Sequence, residues 1–145
     1  MSVKRPAGSA GTYFETLGVT AEVLHSVMTE ALSRGGDNCD LYFEHSSSTS
    51  ILLTDGKVNQ ASTHVSLGMG VRVRAGDQVG YAYSEHLDAN ALRNAARTAA
   101  GIAQSAAPQK VAAPVAIPLP NHYPVAHSWD DVNIGERVKM VRAWE

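Results

Sequence analysis

The sequence predicts an α+β fold: a helix, an antiparallel β-meander of about four strands and a second helix. A Pro-rich linker and the start of a further helix follow. Three observations predict this. Hydrophobic residues repeat with a helical period over 20–32 and again over 88–106, and they alternate between those stretches. Asp55-Gly56 and Gly76-Asp77 punctuate the alternating stretch as hairpin turns. Five prolines (Pro108, Pro114, Pro118, Pro120 and Pro124) exclude a regular helix or central strand over 108–124.

Residues 1–18 read as a flexible arm, because MSVKRPAGSAGT at 1–12 is small, polar and glycine-containing. The first helix starts at Thr20, whose hydroxyl caps free N–H groups while Val19 and Leu24 form a hydrophobic staple. Val23, Leu24, Val27, Met28, Ala31 and Leu32 lie on its apolar face, and Gly35 and Gly36 stop it. The strands are expected around Leu41–His45, Ile51–Leu53, Val65–Arg74 and Val79–Tyr83, with a Ser/Thr run at 46–50 between the first two.

The middle strand has two distinct faces. Val65, Leu67, Met69, Val71 and Val73 fall on one side, and Ser66, Gly68, Gly70, Arg72 and Arg74 on the other. A two-residue loop at Gly76-Asp77 sets Arg72 opposite Tyr81 and Val73 opposite Gly80. The apolar face then has small cross-strand partners, Gly80 and Ala82, which leaves room for a helix to lie close. That helix begins after Asp88 as N-cap, with Leu87 and Leu92 as staple. It carries a small-residue stripe of Leu92, Ala95, Ala96, Ala99, Ile102, Ala103 and Ala106.

The resulting division is a flexible arm at 1–18, an α+β domain at 19–107, a Pro-rich linker at 108–131 and a helical segment from 132. Asn133 and Glu136 form the capping pair of that last helix, and Ile134, Val138 and Val141 its apolar face. The chain ends at Glu145 about three turns into it, so the sequence is expected to be a fragment.

Composition narrows the functional classes. Hydrophobic residues make up 44% and charged residues 18%, as in an ordinary globular domain. A net charge of −2 gives no long-range pull toward a phosphate backbone, so a nucleic-acid partner is not expected. No run approaches the roughly 18–20 apolar residues that span a membrane, and no signal peptide is visible; a cytoplasmic location is expected. The single cysteine, Cys39, excludes an internal disulfide and reads as a half-buried structural thiol.

His25, His45, His64, His86, His122 and His127 include no pair three or four residues apart, so no zinc site is expected within the chain. Gly68-Met69-Gly70-Val71-Arg72-Val73 lacks the third glycine of a dinucleotide loop and continues as a strand. No G-x-S-x-G elbow is present. Asp130 and Asp131 favour a helix start, and Tyr42, Phe43, Tyr81 and Tyr83 fit a sheet better than a base-stacking platform. No catalytic, cofactor or metal residue is identified. The one candidate binding surface is the bare strand face of Gly68, Gly70, Arg72 and Arg74, suited to a neighbouring backbone or an extended peptide.

The runs Gly36-Asp37-Asn38-Cys39-Asp40-Leu41-Tyr42-Phe43-Glu44 and Leu53-Thr54-Asp55-Gly56-Lys57-Val58 resemble the opening of the TldD/PmbA family, often labelled modulators of DNA gyrase. Gly68-Met69-Gly70-Val71-Arg72-Val73, Gly80-Tyr81-Ala82-Tyr83-Ser84 and the Ala-rich helix continue the match over about 13–107. The resemblance is nearer the TldD branch. It implies the non-catalytic amino-terminal part of a zinc-dependent peptidase for unfolded or small peptides, working as a dimer with itself or a PmbA/TldE-like paralogue. The family's zinc ligands, a HExxxH helix and a later cysteine, have no counterpart in this sequence, so zinc is expected only in the full-length protein. The alternative reading is a stand-alone protein- or peptide-binding module of the gyrase-modulator type.

Overall fold

The computed structural model describes residues 10–104, 110–117, 120, 122 and 124–144. The elements are α1 (Ala10–Glu15), α2 (Ala21–Ala31), β1 (Asn38–Thr54), β2 (Lys57–Ala75), β3 (Gln78–Ser84), α3 (Ala89–Ile102), a 3-10 turn (Trp129–Asp131) and α4 (Ile134–Arg142). They fall into two compact units. One holds the described residues of 8–45 and 66–117, the other those of 46–65 and 118–144. Expectations for residues 1–9, Ala106, Pro108 and Pro118 lie outside the described residues.

Both long helices begin as the sequence predicts. The Thr20 hydroxyl accepts the Val23 N–H at 3.3 Å, and the Asp88 carboxylate accepts the N–H groups of Asn90 and Ala91 at 3.0 Å. After α2 the chain turns through Gly35 at φ +87°, a conformation that glycine adopts without a Cβ clash. The segment read as an arm departs from expectation. It carries α1, whose Tyr13 is buried and whose Phe14 ring lies 5.3 Å from that of Phe43. Six residues are too few to show a period, so the aromatic pair was its only signal.

The sheet has three strands in the order β1-β2-β3, not four. The Ser/Thr run at 46–50 continues β1, because threonine favours extended backbone and Thr49 meets Thr63 hydroxyl to hydroxyl at 3.1 Å. Asp55 and Gly56 both have positive φ, as a two-residue Asp-Gly hairpin turn requires. Gly76 takes positive φ at the first central position of the second turn. The β2–β3 register places Arg72 opposite Tyr81 and Val73 opposite Gly80, as anticipated.

In the first unit, α2 and α3 cover one face of the sheet. Val27, Ala31, Leu92, Ala96 and Ala99 close over Met69, Val71 and Val73, all at 0–1% exposure. Two expected core residues are exposed instead. Val65 (55%) precedes the Met69–Ala75 stretch that the core encloses, and Leu67 is only partly buried. At roughly 100° per residue, Ile102 (55%) falls on the flank of the α3 stripe, and Ala100 is buried in its place.

Gly80 sets the spacing of helix and sheet. A Cβ there would lie 2.0 Å from the Ala99 carbonyl oxygen and 3.1 Å from the Ala103 nitrogen. Gly36 is tight in the same way, with a Cβ position 2.6 Å from Val73 Cγ1. Beside it, Asp37 secures the β2–β3 turn: its N–H donates to the Arg74 carbonyl at 2.7 Å, and its carboxylate accepts the Gly76 N–H at 2.6 Å.

In the second unit Arg137 gathers the polar groups. Its Nε donates to the Val132 carbonyl at 2.9 Å, Nη1 to Thr49 Oγ1 at 3.0 Å, and Nη2 to the Trp129 carbonyl. The Asn133 side chain caps α4 by accepting the Glu136 N–H at 3.0 Å, the cap expected from the sequence.

Gly80→Ala is therefore expected to destabilise the chain by about 1–3 kcal/mol through overpacking against α3. Gly101→Ala, with nothing within 4 Å of its Cβ position, should stabilise it by up to about 1 kcal/mol. Urea unfolding of the two variants checks the pair, and equal effects would contradict the close approach at Gly80.

Candidate functional site

Because the inner face of the sheet is taken up by the core, the face left open is the outer one. The two-residue period directs Asp40, Tyr42 and Glu44 of β1 outward, with Gly68, Gly70, Arg72 and Arg74 of β2 and Tyr81 and Tyr83 of β3. Tyr42, Tyr81 and Tyr83 are 59–72% exposed. A shallow trough of about 280 Å³ runs across this face, with Gly68 and Gly70 as floor, the three tyrosines as walls, and Glu44 and Glu85 among its lining.

The two floor glycines serve different ends. A Cβ on Gly68 would meet the Ser84 carbonyl oxygen at 2.7 Å, so this glycine lets β3 close onto β2. A Cβ on Gly70 would lie 2.7 Å from Tyr81 Oη, so this one seats the tyrosine across the floor. Ser84 Oγ donates to the His86 carbonyl at 2.8 Å and accepts its N–H at 3.1 Å, which commits that hydroxyl to a local turn.

Of the four predicted binding residues, the glycines line the trough and the arginines lie outside its lining. Arg72 is bound to Asp40, with Nε 2.8 Å from Oδ2. Arg74 has an exposed side chain near the β2–β3 turn. Both partners of the Arg72–Asp40 pair are more than half exposed, so its contribution to stability is at most about 1 kcal/mol. Tyr42 and Glu44 also line the trough, although the sequence did not single them out as binding residues. Their outward alternation with Leu41 and Phe43 was a visible signal, but the pairing of β1 with β2 was not.

The histidines are dispersed. His25, His64, His86, His122 and His127 are exposed, and His45 stacks on Tyr13, whose hydroxyl bonds its Nδ1. Among the described residues no three His, Cys, Asp or Glu side chains converge as a metal donor set. Cys39 is half-buried on the inner side of β1; burial pushes its thiol pKa upward, and the neighbouring Asp40 charge adds to this.

Residues 39–103, from β1 through α3, match the family model described as PmbA/TldA metallopeptidase domain 1. Over this stretch the chain is similar to the first domain of the TldD/PmbA family. Two curated relatives agree with this. A metalloprotease TldD homolog of Haemophilus influenzae is 33% identical over 86 residues, covering 59% of this chain and 18% of the relative. A metalloprotease TldD homolog of Buchnera aphidicola is 31% identical over 75 residues, covering 52% of this chain and 16% of the relative. The chain thus spans less than a fifth of the length of these two relatives. The matched stretch contains the two hairpin turns, Gly80 and the whole trough, so the contact of α3 with the sheet and the outer face lie within the shared region, while α2 lies before it.

Alkylation of Cys39 should be slower in the folded chain than in the urea-unfolded chain at mildly alkaline pH, because the raised pKa lowers the thiolate fraction. The rate should reach its half-maximum at a higher pH in the folded chain. Equal rates would show that the thiol is not held against the core.

Proposed function

We propose that this chain is the non-catalytic amino-terminal scaffold of a TldD-like zinc-dependent peptidase that takes unfolded or small peptides. The observation that carries the proposal is the outer face of the sheet. It offers a glycine floor and tyrosine walls, and no metal donor set is found among the described residues. A floor without side chains lets an extended backbone approach closely. Tyrosines add apolar contact with a polar tip, which tolerates many peptide sequences. Glu44 and Glu85 favour cationic groups over anionic ones.

In such a peptidase the zinc would supply an activated water. The residues described in this chain do not fit that ion, so no catalytic step is assigned to them. Their part is to hold and position peptide and to support assembly with a second copy or a PmbA/TldE-like paralogue. The same reading places the protein in the cytoplasm. No helix among the described residues is long and apolar enough to cross a membrane.

The purified chain, with zinc salt added, should bind a synthetic unstructured peptide without cleaving it. Tyr42→Ala and Gly70→Val, the latter displacing Tyr81, should each raise the dissociation constant by about tenfold, equivalent to about 1.4 kcal/mol. The unfolding midpoint should change little, because both positions border solvent. Cleavage above the peptide-only control would overturn the non-catalytic role. Binding unaffected by both substitutions would overturn the trough.

A further inference from the structure

The free edge of β3 is a second surface, distinct from the sheet face. In a two-residue hairpin the residues flanking the turn exchange both backbone hydrogen bonds, so the Ala75–Gln78 pair is bonded and the pairs then alternate. Val73–Gly80, Val71–Ala82 and Met69–Ser84 are consequently the bonded pairs. Arg74–Val79, Arg72–Tyr81 and Gly70–Tyr83 are the non-bonded ones, and their N–H and C=O groups point away from the partner strand. Arg74 confirms the phase independently: its carbonyl accepts Asp37 N–H on the side away from β3. On β3, the backbone groups of Val79, Tyr81 and Tyr83 therefore face outward, and β3 pairs with no strand but β2 among the described residues.

This edge lacks the usual protections. Gln78–Ser84 contains no charge and no proline, whereas β1 at the opposite edge carries Asp40 and Glu44. α3 does not cover the β3 edge. Between helix and strand a groove of about 580 Å³ is open, lined by Tyr81–Ser84 and by the short side chains of Ala91, Asn94, Ala95 and Thr98.

We infer that β3 pairs antiparallel with β3 of a second copy of this chain, across a two-fold axis at Tyr81. Three features favour a second copy as the occupant. β3 carries Gly80 and Ala82 on its inner face, so a second copy brings only small side chains to the open groove beside α3. The outward backbone groups match under the two-fold operation, Tyr81 bonding Tyr81 of the second copy and Val79 bonding its Tyr83. The strand is uncharged, so self-pairing brings no like charges together. The two sheets become one of six strands, and the small faces of the two α3 helices approach across the axis. The two tyrosine troughs then lie side by side. This deepens the assembly role proposed above by naming its surface.

Sedimentation velocity over a concentration series tests the inference on the full 145-residue chain. The expected result is a reversible dimer of twice 15.4 kDa. V79K/Y83K places lysines opposite each other at two symmetric positions and should weaken association by at least about tenfold. V79E/Y83E should do the same. An equimolar mixture of the two variants should recover the dimer as a mixed pair. Val79 and Tyr83 are 54% and 72% exposed, so at concentrations where the parent is monomeric both variants should unfold at its midpoint.

If the charge variants dimerise as tightly as the parent, the edge is not the interface, although assembly through another surface would stand. If the parent is monomeric at every concentration yet binds peptide in the trough, self-pairing is overturned and the scaffold role survives. If it is monomeric while a synthetic Gln-Val-Gly-Tyr-Ala-Tyr-Ser peptide protects the amides of Val79, Tyr81 and Tyr83 from exchange, the edge serves a peptide and the inference falls.

Discussion

The close approach of α3 to the sheet at Gly80 is the constraint on which the rest of this domain depends. With a hydrogen atom in place of a side chain, the Ala99 carbonyl occupies space that any Cβ would fill. That approach brings the alanines of α3 within reach of Val71 and Val73, so a helix of small residues can bury a strand of medium-sized ones completely. It also determines which face of the sheet is left over. One face is closed by helix backbone, and the other carries every exposed tyrosine of the sheet.

The approach requires the correct register, because a shift of one residue would put Arg72 or Tyr81 beneath the helix. Two devices hold that register. Gly76 accepts the positive φ of a two-residue turn, and Asp37 bonds the turn and the adjoining strand from outside. Asp37 thus connects the segment after α2 to the β2–β3 turn, and Gly36 makes room for it beside Val73. The acidic residue and the glycine act together. Neither is explained by helix termination alone.

The parts of the fold that were legible in the sequence are those encoded by local chemistry or by a fixed period. Thr20, Asp88 and Asn133 announced their caps, Asp55-Gly56 and Gly76-Asp77 their turns, and the two faces of β2 the burial of Met69, Val71 and Val73. Knowing the second turn was enough to place Gly80 opposite Val73 and to expect a close helix. What was not legible depends on distant partners. Residues 46–50 resembled a loop until paired with the strand that carries Thr63, and α1 was too short to show a period before Tyr13 found His45. The floor of the trough was readable as bare glycines, but its walls come from three strands. Arg72 looked available for a ligand only because its partner, Asp40, is 32 residues away.

On the proposed reading, the inner face of the sheet serves stability and the outer face recognition. A two-dimensional NMR titration of the chain with an unstructured peptide tests it most directly. Shifts are expected to concentrate at Tyr42, Gly68, Gly70, Tyr81 and Tyr83, with the methyl signals of Met69, Val71, Val73 and Leu92 unmoved. Shifts centred on those core methyls, or on α4 with the trough residues unmoved, would contradict it.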